Sequence, residues 1–434
     1  MIRRTVLEWQ SLPYGVGEDQ IPAAAADRLV AVARASPLGG EGGARVLTHG
    51  RAAIRAAQVV GVLVTDRCSL EILPKIDFPT DDGRPNESRI RRQLVHMLAV
   101  ALDIEIAVGA ITDLHWQRET LLEILIGLFA RKLADAVRKG MPRQYVGCEE
   151  DLPVLRGSLD VTRQFTTLAA RFDRLACRYD ALSPDIALNR IMKAAVTRLR
   201  SASRSAENQR RLSELGFSYA DIADVPASAL PWGDLVLDRT NARWRELVQL
   251  AKLLLGERFQ TTSEGPGRGF SLLFEMNTLF EEYVARSLKR SFVGSPLTIH
   301  AQGGRLYCLE EFGGGANRFM TKPDILVRRG AAVEMIVDTK WKRLAARIDD
   351  PKQGVSQADV YQMMAYGRLY QCPTLLLLYP HHGALKQAEG VIAAHRVTSS
   401  DSVLVTASID VSTTRGLQPR LRALVEAAWA LGGQ

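Results

Sequence analysis

The stretch KPDILVRRGAAVEMIVDTKWKRL, residues 322–344, decides the fold that we expect for the C-terminal part of this chain. Two β-type runs, 324–328 and 333–338, lie on either side of a Gly-Ala turn. Short runs of this kind around a glycine-containing turn predict a β-hairpin. The fold and the chemistry that we expect both depend on this hairpin.

The hairpin brings two acidic residues together. If its turn is centred on Ala331, Asp324 lies directly across from Asp338. Like charges placed opposite each other cost stability, and a divalent cation between them would remove that cost. Lys340 follows Asp338 by two positions, so the period of a strand puts both side chains on one face.

Two carboxylates and an ammonium group are the parts that phosphodiester hydrolysis requires. Carboxylate oxygens bind Mg²⁺, the metal activates water, and a nearby cation offsets the developing negative charge. The Pro-Asp and Asp-Thr-Lys elements form a PD-(D/E)xK pattern, with Asp324, Asp338 and Lys340 as candidate catalytic residues. The alternative is a surface hairpin with an ordinary salt bridge, because each short element also occurs by chance.

The helix predicted before the hairpin offers a third carboxylate. In MNTLFEEYVARSL, residues 276–288, Leu279, Phe280 and Tyr283 can face a core while Glu281 and Glu282 lie near its edge. We expect Glu281 to join Asp324 and Asp338 as a metal ligand. Two solvated helix charges are the alternative.

The helix predicted after the hairpin carries Gln362 and Tyr366 on one face, four residues apart. Nucleases of the RecB type have a similar Gln-x-x-x-Tyr pair after Asp-x-Lys, although Tyr366 could instead only fill the core. Lys342, Arg343 and Arg347 follow the candidate lysine, where contacts with DNA phosphates would be useful.

The rest of the chain predicts a multidomain α+β protein. Residues 1–80 alternate short β-type runs with Gly and Pro, which indicates a β-rich N-terminal domain. Residues 86–260 have mainly helical periodicity, with a short extended segment at PVLRGSLDVTRQF. Residues 270–434 should form an α/β domain with a mixed sheet, beginning with a helix near Leu272.

Composition narrows the classes of function. Lys and Arg total 56 against 48 Asp and Glu, giving a formal charge of +8 that favours a polyanionic partner. The five scattered cysteines form no CxxC pair, which favours a reduced, cytoplasmic setting. The richest apolar stretch, 121–130, is too short to cross a bilayer, so no membrane role is expected.

Together these motifs resemble the McrC family, the nuclease subunits of McrBC-type (type IV) restriction systems that act on modified cytosine. The resemblance runs over most of the chain. Its landmarks are SLEILPKI, YVGCEEDLPVLRGSLD, LACRYDALSPDIALNRIMKAA, MNTLFEEYV, KPDI with VDTKWK, and DVYQMMAYG.

This resemblance implies a Mg²⁺-dependent DNA endonuclease with a restriction-endonuclease-like C-terminal domain. By position, Asp324, Asp338 and Lys340 match the family's catalytic triplet, and Glu281, Gln362 and Tyr366 are supporting matches. It also implies a McrB-like AAA+ GTPase hexamer as partner, docked on the N-terminal and middle regions, and double-stranded DNA with modified cytosine as substrate. GTP would be bound by that partner, since the sequence contains no GxxxxGK[ST] phosphate loop.

Two other functions remain open at this point. The chain could be a non-catalytic activator or assembly factor of a AAA+ partner that keeps a nuclease fold. It could also be a RecB-like nuclease paired with an ATP-driven helicase and indifferent to base modification.

Overall fold

The computed structural model describes most of the chain, in two compact units. The described residues are 2–36, 38–40, 43–76, 86–105, 119–239, 241–256, 264–265, 269–312, 315–344, 354–398 and 400–432. One unit comprises residues 1–122 with 256–434, and the other comprises residues 123–255. The predicted DNA-contacting Arg347 lies outside the described residues.

The elements follow in chain order. The N-terminal part has β1 (Ile2–Leu7), β2 (Ser11–Pro13), α1 (Ala23–Ala35), β3 (Leu47–His49), β4 (Ala53–Ala56), β5 (Val59–Val64), β6 (Cys68–Leu73) and α2 (Glu87–Ala101). The middle part has α3 (Leu121–Arg138), β7 (Gln144–Leu152), β8 (Ser158–Leu159), α4 (Val161–Thr166), β9 (Leu175–Ser183), α5 (Ala187–Ala202), α6 (Ala206–Ser218) and α7 (Arg245–Leu255). The C-terminal part has β10 (Glu264–Gly265), β11 (Gly269–Glu275), α8 (Met276–Ser291), β12 (Leu297–Ala301), β13 (Tyr307–Glu310), β14 (Asn317–Met320), β15 (Ile325–Arg329), β16 (Ala332–Thr339), α9 (Gln357–Tyr370), β17 (Thr374–Pro380), β18 (Gly390–Arg396), β19 (Val403–Ile409) and α10 (Leu417–Gly432).

The six-stranded sheet of the C-terminal part is mixed, as the sequence predicted. Its strand order is β12-β15-β16-β17-β19-β18. Strands β16, β17 and β19 run parallel, and the remaining neighbours are antiparallel. The predicted helix that carries Gln362 and Tyr366 is confirmed as α9. Strand β13 pairs with β14 in a separate two-stranded sheet.

One face of the six-stranded sheet packs against α9. Leu326 of β15 and Ile336 of β16 share an apolar core with Met363 and Tyr366 of this helix. Because side chains alternate along a strand, residues two positions from Leu326 and Ile336 lie on the same face. Helix α9 therefore covers the face that carries Asp324 and Asp338.

The prediction of a helix beginning near Leu272 is wrong. Residues Gly269–Glu275 form β11, which pairs antiparallel with β5, and helix α8 starts only at Met276. A short, continuous apolar run is compatible with a buried strand or a buried helix, so periodicity alone does not separate them. β11 and β10 extend the sheet that contains β1, β6 and β5.

This pairing places the predicted ranges 1–80 and 270–434 in one compact unit. The N-terminal range is rich in strands as expected, and it also contains α1, which the sequence analysis missed. The division into three domains stays a prediction.

The unit of residues 123–255 is mainly helical, as expected. The extended segment predicted at 153–165 is largely wrong, because it contains only the two-residue strand β8 and is helical from Val161, while the long strands lie on either side of it. Strands β7 and β9 pair along nine residues each, and β8 joins them in a three-stranded sheet. Most side chains of β7 are exposed, so no alternation of buried apolar residues signals this strand in the sequence. No helix in the described part of the chain is both long and apolar enough to cross a membrane.

We predict that Gly61→Ala lowers the free energy of unfolding by more than about 2 kcal/mol. Gly61 has φ of +136°, and an added Cβ would lie 1.9 Å from the carbonyl oxygen of Leu272. Urea unfolding followed by fluorescence measures the change. The matched control is Gly383→Ala, where a Cβ meets nothing within 4 Å. Equal stability of the two variants would contradict the close approach of β5 and β11.

Candidate active site

The hairpin of β15 and β16 has the predicted register at the end that carries the acidic residues. Ile325 pairs with Val337 and Leu326 with Ile336, and continuing this ladder by one step places Asp324 across from Asp338. The register shifts between Val327 and Arg328, so the pairing nearer the turn differs by one residue. This irregularity lies at the far end of the hairpin and leaves the acidic pair opposed.

Asp338 is a buried carboxylate held by a single cation. Its side chain is 1% exposed, and Oδ2 lies 2.7 Å from Nζ of Lys340. Among the described residues, this oxygen has no other close polar partner. Burial and the nearby Asp324 raise the pKa of Asp338 to about 6, although Lys340 opposes the shift. The site therefore holds more negative charge than one ammonium group neutralises.

Asp324 is fixed by a residue that the sequence analysis did not single out. Its Oδ2 accepts hydrogen bonds from the backbone N of Thr339 (2.8 Å) and from its Oγ1 (3.0 Å). Burial raises the pKa of Asp324, while these bonds and Lys340 lower it. The only signal for Thr339 in the sequence is its place between Asp338 and Lys340, where any residue type satisfies the pattern.

Glu281 of α8 lies close enough to Asp324 for their charges to interact. Burial, followed by this repulsion, raises the pKa of Glu281 to about 7. Its Oε1 accepts a 3.1 Å hydrogen bond from Nε2 of Gln302, whose backbone N in turn donates to the carbonyl oxygen of Asp324 (2.7 Å). The expected core residues Leu279 and Phe280 are fully buried.

Glu281 does not form a metal-binding set with the two aspartates in this arrangement. Within the described ranges, no group of three or more His, Cys, Asp and Glu side chains has the geometry to hold a metal ion. The role of Glu281 as a third metal ligand stays a prediction.

A chain of polar contacts leads from Lys340 into α9. Nζ of Lys340 lies 3.4 Å from Oε1 of Gln362, and Nε2 of Gln362 donates to the hydroxyl of Tyr366 at 2.9 Å. Burial lowers the pKa of Lys340, but the carboxylates of Asp338, Asp324 and Asp359 outweigh this effect and raise it. Lys340 is therefore charged and held from two sides.

The basic residues after Lys340 differ in their surroundings. Lys342 is exposed and forms a 3.1 Å ion pair with Asp359, a buried residue in the first turn of α9 that the sequence analysis did not identify. Asp359 also lies 4.0 Å from Nζ of Lys340. Arg343 is exposed. The predicted contacts of these residues with DNA stay predictions.

Trp341, next to Lys340, contacts a residue near the start of the chain. Its Nε1 donates a 2.8 Å hydrogen bond to Oε1 of Glu8, and its backbone N donates to Oδ1 of Asn277 at 3.1 Å. Its ring packs edge-on against Phe280, with 5.3 Å between centroids. No sequence motif could reveal the bond to Glu8, because the two residues are 333 positions apart.

The aspartate pair fits Mg²⁺ by charge and by ligand type. Mg²⁺ is commonly held by one or two carboxylates and keeps several waters, so it does not need a third acidic side chain. Two opposed carboxylates whose pKa values are both raised are stabilised by a cation between them. Asp324 and Asp338 are the described residues that would hold the ion.

A sequence model of the family described as McrBC 5-methylcytosine restriction system component matches residues 54–380. No curated protein matches the sequence at a significant level.

Two solved structures share the fold. A chain of the half-complex from a tetradecameric assembly of Thermococcus gammatolerans McrB AAA+ hexamers with bound McrC is 20% identical, with a TM-score of 0.70 over 98% of this chain and 99% of that chain. A chain of the cryo-EM structure of the Thermococcus gammatolerans McrBC complex is 23% identical, with a TM-score of 0.51 over 67% of this chain and 88% of that chain.

We predict that Glu281→Gln stabilises the metal-free protein at pH 8 by about 1–2 kcal/mol, after allowance for solvent screening. The pKa of Glu281 rises from 4.5 to about 7 on folding, so its stabilising contribution is complete below pH 4.5 and is lost as the pH rises through 7. Glutamine keeps an oxygen that can accept from Gln302 and carries no charge.

Urea unfolding in EDTA at pH 4.5 and pH 8 measures this effect, and the advantage of the variant should disappear at the lower pH. The matched control is the neighbouring Glu282→Gln: the charge of Glu282 contributes less than burial and Asp324 to the raised pKa of Glu281, so this variant should reduce the pH dependence less than Glu281→Gln does. A Glu281→Gln protein that is less stable than the parent at both pH values would contradict the prediction.

Proposed function

Because the chain belongs to the family of McrBC 5-methylcytosine restriction system components, we propose that it is the Mg²⁺-dependent DNA endonuclease subunit of such a system. The observation that carries this proposal is the opposed pair Asp324 and Asp338 with Lys340 bound to one of them. This set supplies the ligands and the cation that hydrolysis of a phosphodiester bond requires.

In the proposed mechanism, Asp324 and Asp338 would hold Mg²⁺, which would supply a Lewis acid for hydrolysis of the scissile phosphodiester. The ammonium group of Lys340 donates to an oxygen of the scissile phosphate and offsets its developing charge. Gln362 and Tyr366 hold that ammonium in place through the contacts described above. Glu281 would complete the metal's surroundings if it moves closer when the ion binds.

We further propose a McrB-like AAA+ GTPase hexamer as the partner, and double-stranded DNA with modified cytosine as the substrate. The family assignment supports both, and the absence of a GxxxxGK[ST] loop from the sequence agrees with a separate motor that binds GTP and is stimulated by this chain. The unit of residues 123–255 offers a docking surface rich in exposed apolar side chains. These include Tyr145, Val146, Leu155, Phe165, Phe172 and Leu182.

We predict that Asp338→Ala and Lys340→Ala each reduce DNA cleavage at least about 1000-fold, because they remove a metal ligand or the charge that offsets the transition state. Association with the AAA+ partner and GTP turnover should be largely retained. The assay combines the purified chain, a McrB-like AAA+ protein, modified DNA, GTP and Mg²⁺.

The control for this test is Glu334→Gln, which changes a carboxylate near the other end of β16 and should leave cleavage intact. Cutting by both Asp338→Ala and Lys340→Ala would remove these residues from the mechanism. Normal stimulation of GTP turnover without any cutting by the parent chain would favour a non-catalytic activator instead.

We predict that Tyr366→Phe lowers kcat about tenfold with little change in KM, because Gln362 loses the hydroxyl that it contacts and holds Lys340 less firmly. Single-turnover cleavage separates the chemical step from binding. Tyr361→Phe, which removes an exposed hydroxyl from the same helix, is the matched control and should not slow the reaction. If the two variants behave alike, Tyr366 only fills the core.

A further inference from the structure

A cavity of about 350 Å³ lies beside the candidate active site, within the unit of residues 1–122 and 256–434. Its walls come from the N-terminal strands, the start of α8 and the segment that directly follows Lys340. Its lining includes Glu8, Trp9, Lys75, Trp341, Lys342 and Arg343. Lys342 is paired with Asp359, and the other two cations, Lys75 and Arg343, outnumber the single carboxylate Glu8, so the walls carry a net positive charge that favours an anion.

Glu8 is a hydrogen-bond acceptor built into the cavity wall. Its side chain is 3% exposed, and it accepts from the backbone N of Lys75 at 2.9 Å and from the indole N of Trp341 at 2.8 Å. Both of these donors reach Oε1, so Oε2 is the oxygen that can accept from a ligand. A buried carboxylate fixed in this way recognises an amino group, such as the exocyclic amine of cytosine, adenine or guanine.

Trp9 supplies an aromatic surface at the same cavity. It is 45% exposed, and its backbone has φ of +67°, a conformation that is strained for a bulky residue. Arg55 holds it there, because Nε donates to the carbonyl oxygen of Trp9 at 3.2 Å and the guanidinium lies 5.9 Å from the ring centroid. An exposed indole kept in place against backbone strain offers a surface on which a base can stack.

Three cationic side chains line the same cavity as Trp9 and Glu8. Lys75 follows β6, while Lys342 and Arg343 come two and three residues after Lys340. Part of the cavity wall therefore belongs to the segment that directly follows Lys340, the residue that would act on the scissile phosphate. Positive groups, an aromatic surface and a buried acceptor are the three elements that bind one nucleotide.

We propose that this cavity binds one unpaired nucleotide of the DNA strand next to the cleavage site. In this assignment the base stacks on Trp9, its amino group donates to Glu8, and Lys75 and Arg343 contact the adjoining phosphate. The inference rests on the proposed nuclease function, because it assumes that DNA passes the Asp324–Lys340 site.

The test uses the full chain in EDTA, where binding is measured without cleavage. The probe is a single-stranded DNA octamer that contains one 2-aminopurine, whose fluorescence falls when it stacks on an aromatic ring. We expect the parent chain to quench the probe, Trp9→Ala and Lys75→Ala each to weaken binding about tenfold, and Trp9→Phe to restore most of it. Phe217→Ala, which removes an exposed aromatic ring from the other unit, is the matched control and should bind like the parent.

This readout keeps the proposal separate from the proposed function. Binding is measured in EDTA and does not require cleavage, so a parent chain that quenches the octamer but never cuts DNA would contradict the nuclease assignment alone. The proposal is overturned if Trp9→Ala binds and quenches like the parent, or if it weakens binding no more than Phe217→Ala does. It is also overturned if 2-aminopurine deoxyriboside 5′-monophosphate alone binds as tightly as the octamer, because the site would then take free nucleotides.

Discussion

The antiparallel register of β15 and β16 is the constraint on which the candidate site depends. Side chains alternate between the two faces of a strand, so a slip of one residue would turn Asp324 or Asp338 toward the opposite face. The apolar pair Leu326 and Ile336 fixes the register by packing under α9. The same packing places Gln362 beside Lys340. The same apolar packing that stabilises the core therefore also positions the side chains of the candidate site.

The arrangement is costly for the fold without a bound cation. Asp324 and Asp338 are both buried enough to raise their pKa values, and Lys340 and the two donors of Thr339 compensate only part of the negative charge. An apolar pair at these positions would cost less, since burying charges is unfavourable unless they are well paired. A divalent cation bound between the two carboxylates would offset this cost.

The features that could be predicted from the sequence are those that depend on residues close together in the chain. The opposition of Asp324 and Asp338, the mixed sheet and helix α9 follow from strand period, turn residues and helical spacing. Strand β11 was predicted as a helix because its partner, β5, is about two hundred residues earlier in the chain. The bond between Glu8 and Trp341 was missed for the same reason. Thr339 acts mainly through its backbone N, which any residue would supply.

We propose that Asp324 and Asp338 together hold one divalent ion. This is tested by a crystal of the chain soaked in Mn²⁺ and measured by anomalous diffraction, beside the same experiment on Asp338→Asn. We expect one strong anomalous peak within metal–oxygen bonding distance of both carboxylates, and its loss in the variant. A peak elsewhere, or one that persists unchanged when Asp338 is replaced, would show that the two aspartates are not the metal site.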